Sequence, residues 1–381
     1  MTACSSRNRG LRSIWHIEAS KRRFLGWHAE AMPMIKVLVA EDSPVVREFL
    51  VYILGSDPDI RVVGTARDGE EAINAARRYR PDVITMDIHM PKMDGLEATR
   101  RIMETDPRPI VIVSGSCDPR EVATTFNAME AGALAVLGRP AGIGHPDHEA
   151  TARGLVQTVK LMSEVRVVRR WPHARRDASA PRPAEIALAR DTAKIRVAAI
   201  GASTGGPPVL QTILAALPRD FPVPLLIVQH MAAGFIQGFA EWLAQSSGLP
   251  VHVAMHGEHL VPGRVYVAPD EFQMKVEHGG KIVLTKDEPE SGLRPSVSYL
   301  FRSLAEVYGG DAVACLLTGM GRDGAAELRL LRERGALTLV QDRESSVVHG
   351  MPGEAIRLDA AMFVLPPDKI AAVLMNLAKK R

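Results

Sequence analysis

A chain of 381 residues, 46% apolar and 24% charged, is long enough to form two ordinary domains with separate cores. Its formal charge of +3 is small for that length, so the net charge gives no ground for a nucleic-acid partner. Three widely separated cysteines, Cys4, Cys117 and Cys315, odd in number and without ligand spacing, fit a reducing compartment, the cytoplasm, better than a disulfide framework or a zinc site.

Residues 1–33 carry Arg7, Arg9, Arg12, Lys21, Arg22 and Arg23 with Trp15 and Trp27 but no clear period. They read as a disordered extension, with Met34 a candidate natural start. They lack the apolar core and small-residue cleavage site of an export signal. No later run approaches the roughly 18 apolar residues of a spanning helix, so no membrane insertion is expected.

From Lys36 the pattern alternates: "KVLVAED", "IRVVGTA", "PDVITMD", "PIVIVSG" and "ALAVLG" predict strands, and "PVVREFLVYIL", "GEEAINAARRY", "GLEATRRIME" and "EVATTFNAMEAG" predict helices. The economical arrangement is a doubly wound α/β unit with a parallel sheet over residues 34–155. "ATARGLVQTVKLMSEV" predicts a closing helix. Residues 156–194 are rich in Arg, Pro and Ala and read as a semi-stiff linker.

Glu41 and Asp42 fall at the carboxyl end of the first predicted strand and Asp87 at that of the third, so a parallel sheet opens both on one crevice. Three carboxylates there repel unless a hard cation such as Mg²⁺ joins them. Ser114, at the fourth strand end, can donate to a phosphoryl oxygen. With "EDS", "MDIHMPKMDG", "VSG" and "RP" in these places, the unit resembles a response-regulator receiver domain of flavodoxin-like fold. The resemblance implies phosphorylation of Asp87 by a histidine kinase, Mg²⁺ held by Glu41, Asp42, Asp87 and the carbonyl of His89, and phosphoryl contacts from Ser114 and Arg139. The family usually has Lys at position 139 and often an aromatic residue at 136, where this chain has Arg139 and Val136.

A second alternating unit is expected over residues 195–381. Strands are predicted at "RVAAIGA", "PLLIVQH", "VHVAM", "RVYVAP", "KIVLT", "DAVACLLTG" and "ALTLVQD", and helices around "PVLQTILAAL", "AGFIQGFAEWLAQ", "SVSYLFRSLAEVY" and "GAAELRLLRERG". "GASTG" is Gly-x-Ser-x-Gly between a strand and a helix, a context that lifts a serine nucleophile from a sheet. A nucleotide-triphosphatase loop would end in Gly-Lys-Ser/Thr, which is absent. "GMGRDG", with Asp342 on the next strand, fits a dinucleotide fingerprint and keeps an oxidoreductase reading open. Against it stands a constellation: Ser203 needs a base, and the base needs an orienting carboxylate. His230 and Asp323 sit at turns that open on the same crevice. His252, His256 and His259 invite a metal, but Gly257 and the strand-like alternation spoil a one-face helical geometry.

The motifs "IGASTGGP", "VQHM", "PGRVYVAP", "RPSV", "LTGMGRDGA", "VQD" and "VVHGMP" make this unit similar to the Rossmann-like catalytic domain of the chemotaxis protein-glutamate methylesterases, the CheB family. That resemblance implies Ser203 as nucleophile, His230 as general base and acid, and Asp323 as its orienting residue, supported by Thr204 and the backbone N–H of Met320. No catalytic-domain cofactor is implied. It further implies methylated chemoreceptors as substrates, glutamine deamidation by the same route, a CheA-type histidine kinase as phosphodonor, and a receiver that obstructs the site until phosphorylated. Arg343, His349 and Glu327 depart from the family pattern. A phosphorylation-controlled binding module without activity is the remaining alternative.

Overall fold

The structure, a computed structural model, describes residues 34–115, 119–165, 167 and 195–379. The expected extension over residues 1–33, Cys4, Cys117 and most of the expected linker lie outside them.

The first unit carries five parallel strands in the order β2-β1-β3-β4-β5: β1 Ile35–Ala40, β2 Ile60–Ala66, β3 Val83–Met86, β4 Ile110–Ser114 and β5 Ala135–Gly138. Helices α1 (Pro44–Gly55), α2 (Gly69–Tyr79), α3 (Gly95–Thr105) and α4 (Pro119–Ala131) alternate with them. Local chemistry sets several helix starts. Asp68 and Asp94 each accept a backbone N–H three residues on, Glu71 and Glu97, and proline opens α1. α5 (His148–Ser163) crosses the boundary expected at residue 155 because Val159 and Met162 are buried in the same core as Leu155. The strand order reverses between β1 and β3, so Glu41, Asp42 and Asp87 share the crevice there.

The second unit carries seven parallel strands in the order β14-β13-β12-β6-β7-β9-β8. They are β6 Val197–Ala202, β7 Leu225–Gln229, β8 Val251–Val253, β9 Val265–Val267, β12 Ala312–Leu316, β13 Leu337–Gln341 and β14 Phe363–Leu365. The helices are α6 (Gly206–Ala215), α7 (Ile236–Ser247), α8 (Val297–Val307), α9 (Ala325–Glu333), α10 (Met351–Arg357) and α11 (Pro367–Lys379). "KIVLT" forms β11 (Lys281–Thr285), which leaves the parallel sheet and pairs antiparallel with β10 (Gln273–Glu277) in a separate hairpin. The reason is length: the few residues between the two strands suit a hairpin, whereas a parallel crossover needs a dozen or more. Chain order reverses between β6 and β12, the strands that deliver Ser203 and the "GMGRDG" turn.

One apolar cluster runs across both units. Its centre is an aromatic triad: Phe126 of α4 packs 5.3 Å from Phe239 and 5.4 Å from Trp242, both on α7. Phe126, Phe239 and Trp242 are all buried, and aromatic pairs contribute beyond the area they bury. Glu130 of α4 and Gln211 of α6 form a hydrogen bond across the same boundary.

Candidate active site

Ser203 follows β6 on a turn whose sharpness depends on Gly205, at φ 78°, and on Gly206, whose N–H donates to the Ser203 carbonyl at 2.8 Å. The backbone N–H of Ser203 donates in turn to Thr318 at 3.0 Å, which ties the β6 and β12 turns together. Gln229, buried at the end of β7, donates through Nε2 to the carbonyls of Ser203 and His230, each at 2.8 Å. This one amide fixes the backbone of both residues.

His230 Nε2 lies 2.9 Å from Asp323 Oδ2. The carboxylate is anchored further at the start of α8, where Ser296 Oγ and Ser298 N donate to Oδ1 at 2.8 and 3.0 Å and Val297 N donates to Oδ2 at 2.6 Å. Burial works to raise the Asp323 pKa, but the His230 hydrogen bond and charge, with the donors of Ser298, outweigh it and hold the group at about 2. The α8 N-terminus favours the anion in the same sense. Asp323 is therefore an acceptor at any working pH, and the His230 tautomer that suits it carries its proton on Nε2 and leaves Nδ1 with a lone pair.

Ser203, Thr204 and His230 line one cavity of about 410 Å³. Among the described residues the hydrogen bond of the His230 ring is to Asp323, and none joins it to Ser203 Oγ. Met320 follows Gly319, and Gly319 lies hard against the serine: a β-carbon there would stand 2.6 Å from Ser203 Cβ and 2.4 Å from Met351 Sδ. The glycine thus lets the backbone that leads into Met320 approach Ser203 closely. His349 sits on a segment bridged to Gly319, and burial followed by the charge of Arg343 lowers its pKa. Glu327, the other departure in this unit, holds Arg302 at 3.1 Å rather than facing Ser203.

The dinucleotide reading of "GMGRDG" fails on this geometry. Its first glycine is packed on Ser203, Asp323 is committed to His230 and α8, and a β-carbon on its last glycine would meet Val297 at 2.4 Å. The histidine-rich segment holds no ligand set. His252 bonds Glu258 and His256 contacts the backbone of Leu284. Among the described residues only Glu41, Asp42 and Asp87 gather as metal ligands, with ligand oxygens within 4.8 Å of one another.

In that acidic cluster Glu41 and Asp87 are buried. Burial, then the charge of Asp87, pushes Glu41 up to about 7 against the pull of Arg139. Burial likewise raises Asp87. Arg139 Nη2 reaches Glu41 at 3.1 Å and Asp87 at 3.0 Å, and its backbone N–H donates to Ser114 at 2.9 Å. Glu41 Oε2 is buried without a hydrogen bond of good geometry. That oxygen lies 3.1 Å from Arg139 Nη2 as an ion pair, and the all-oxygen donor set of three carboxylates suits a hard divalent cation. Ser114 is buried at the end of β4 and His89 lies two residues beyond Asp87.

Sequence reasoning does not single out Gln229, Ser296, Ser298 and Thr318 as positioning residues. Their signal lies in "VQHM", in "RPSV" and the serine directly after it, and in "LTGMGRDGA", beside the residues read as chemical.

Residues 198–374 match the family model described as CheB methylesterase, and residues 37–145 match that of the response regulator receiver domain. The chain is 68% identical, over 91% of its length and 98% of the other's, to a Nitrosospira multiformis protein called protein-glutamate methylesterase/protein-glutamine glutaminase. It is 60% identical, over 91% and 100%, to a Geobacter metallireducens protein of that name numbered 4. The crystal structure of the Thermotoga maritima CheB methylesterase catalytic domain is similar at 38% identity, covering 48% of this chain and 98% of that one, with a TM-score of 0.47.

Proposed function

The chain belongs to the protein-glutamate methylesterase/protein-glutamine glutaminase family, and on that premise we propose that it demethylates γ-glutamyl methyl esters and deamidates glutamines on methyl-accepting chemotaxis receptors, under control of Asp87. It is a carboxylic ester hydrolase with a receiver domain. The observation that carries the mechanism is the His230 Nε2–Asp323 Oδ2 contact of 2.9 Å at the edge of the cavity that Ser203 lines.

Ser203 Oγ attacks the ester carbonyl while His230 Nδ1 takes its proton. Asp323 holds the ring and stabilises its cation. The developing oxyanion is met by the N–H of Met320, with Thr204 in support. Methanol leaves with the proton from His230. Water then attacks the acyl-enzyme, His230 again acting as base, and releases the glutamate carboxylate. For glutamine the leaving group is ammonia.

In the receiver, Glu41, Asp42, Asp87 and the carbonyl of His89 would hold Mg²⁺, which supplies charge neutralisation for phosphoryl transfer. Asp87 accepts the phosphoryl group from a CheA-type histidine kinase, and Ser114 and Arg139 contact it. Control is supported by the packing of α4, β5 and α5 over the cavity, with Leu137, Leu155 and Thr158 opposite Ser203 and His230. A phosphate-dependent change in the preference between closed and open arrangements completes the switch. The cytosolic side of the receptors is the compartment this reading requires; among the described residues no helix is long and apolar enough to cross a membrane.

The deciding experiment measures methanol release from methylated receptor membranes with and without a phosphodonor, for the wild type and Ser203→Ala. Release is expected to rise with the phosphodonor and vanish in the variant. An active Ser203→Ala protein would refute the nucleophile.

A further inference from the structure

The cavity over Ser203 is roofed by the receiver but not filled by it. At about 410 Å³ it falls within the roughly 300–1,000 Å³ typical of small-ligand pockets. Its walls come from both units. Val136, Leu137 and Leu155 face it from the receiver, with Met231 and Phe235 opposite, so it is mainly apolar. Ser203, Thr204, Gln229 and His230 supply polar groups from the catalytic side, and Thr151 and Thr158 from the receiver side. Thr151 on its rim is exposed and Leu293, on the catalytic side, is half-buried, so the chamber reaches solvent between the two units.

A protein-borne ester approaching from this side meets β5 and α5, which line the cavity, and a helical segment with its side chains is about 10–12 Å across. A short-chain ester needs only room for an acyl group and a small alkoxy group beside Ser203. An apolar wall with a polar reactive end is the chemistry such a molecule prefers.

We propose that the receiver gates this site by size: short-chain carboxylic esters reach Ser203 and are hydrolysed while the receiver is unphosphorylated, whereas protein-borne esters wait for it to move. The proposal rests on Ser203 as nucleophile. The step is the same acyl transfer. The Ser203 Oγ–carbonyl bond forms and the ester C–O bond breaks. The serine proton passes through His230 to the leaving alkoxide, and one water releases the acid and restores the serine.

The test uses the full chain with p-nitrophenyl acetate as the small ester and methylated receptor membranes as the protein substrate, each with and without acetyl phosphate and Mg²⁺. An open arrangement populated at about 0.1–10% without phosphate makes protein demethylation rise by about 10- to 1,000-fold on phosphorylation, while small-ester hydrolysis changes by less than about threefold. Filling the chamber separates gate from chemistry. Val136→Trp and, independently, Thr158→Trp are expected to lower unphosphorylated small-ester hydrolysis by about tenfold or more and to leave phosphorylated protein demethylation near wild type. Small-ester hydrolysis that climbs with acetyl phosphate in parallel with methanol release overturns the gate and leaves the Ser203 reading intact. So does a protein that demethylates receptors yet hydrolyses no small ester in either state. Wild-type rates on both substrates in Ser203→Ala overturn the nucleophile itself.

Discussion

Gly138 and Ala232 meet across the boundary between the two units: a β-carbon built on Gly138 would stand 3.5 Å from Ala232 Cβ and 3.7 Å from the Phe235 ring. Gly138 directly precedes Arg139, which bonds Asp87, and Ala232 lies two residues beyond His230. Asp87 and His230 are thus joined by one short run of contacts. Gly138→Ala should be neutral, since its methyl makes ordinary contact. Gly138→Leu should wedge the units apart, because overpacking costs about 1–3 kcal/mol, and raise methanol release without phosphodonor by about tenfold. Equal rates for Leu and wild type would count against this boundary as the closed state.

Gly319→Ala places a methyl 2.6 Å from Ser203 Cβ and 2.4 Å from Met351 Sδ, distances that force one of them to move. Displacing a nucleophile by about 1 Å costs on the order of 100-fold in rate. The expected result is a folded protein with kcat reduced by at least that much, and with thermal stability lowered by about 1–3 kcal/mol from overpacking. Wild-type turnover would remove the argument for the Met320 backbone as oxyanion donor.

Asp323→Asn keeps the shape but removes the charge and turns one of the two accepting oxygens into an N–H donor, and should reduce kcat by about 10⁴. Asp323 is held at about 2 against an ordinary 3.8. Its folded pKa is depressed, so its stabilising contribution is present above about pH 4 and lost as pH falls towards 2. The acid limb of the wild-type pH–rate profile therefore does not belong to Asp323. Ser296→Ala, which removes one of its donors, should lower kcat with little change in KM. A raised KM at constant kcat would place Ser296 in substrate binding instead.

Glu41, pushed up to about 7, is protonated over much of the neutral range, and ion binding requires its carboxylate. Its folded pKa exceeds its ordinary 4.5, so its contribution to folding is fully present below about pH 4.5 and is lost as pH rises through about 7. Mg²⁺ affinity should fall as pH drops from about 8 to about 6, by up to about tenfold per unit. Thermal melts with and without Mg²⁺ read this directly: the ion, or its removal by a chelator, should shift Tm more at the higher pH. An equal shift at both would exclude Glu41 from the ligand set.

Much of this protein was legible from residue order alone. Alternating apolar runs identified both α/β units, and strand-end positions gathered Glu41, Asp42 and Asp87, then Ser203, His230 and Asp323, because a parallel sheet sends every carboxyl end to one side. Periodicity reports that a face is buried, never against what. Phe126 reads as an ordinary core residue of α4, and only the fold sets it between Phe239 and Trp242 and so brings the receiver over Ser203. The same limit hid the β10–β11 hairpin, the short β14 and α10, and α11, whose burial depends on partners distant in the chain. Which His230 nitrogen faces Asp323, and whether Arg139 holds one carboxylate or two, are matters of side-chain direction in space, decided by packing between segments far apart in the chain.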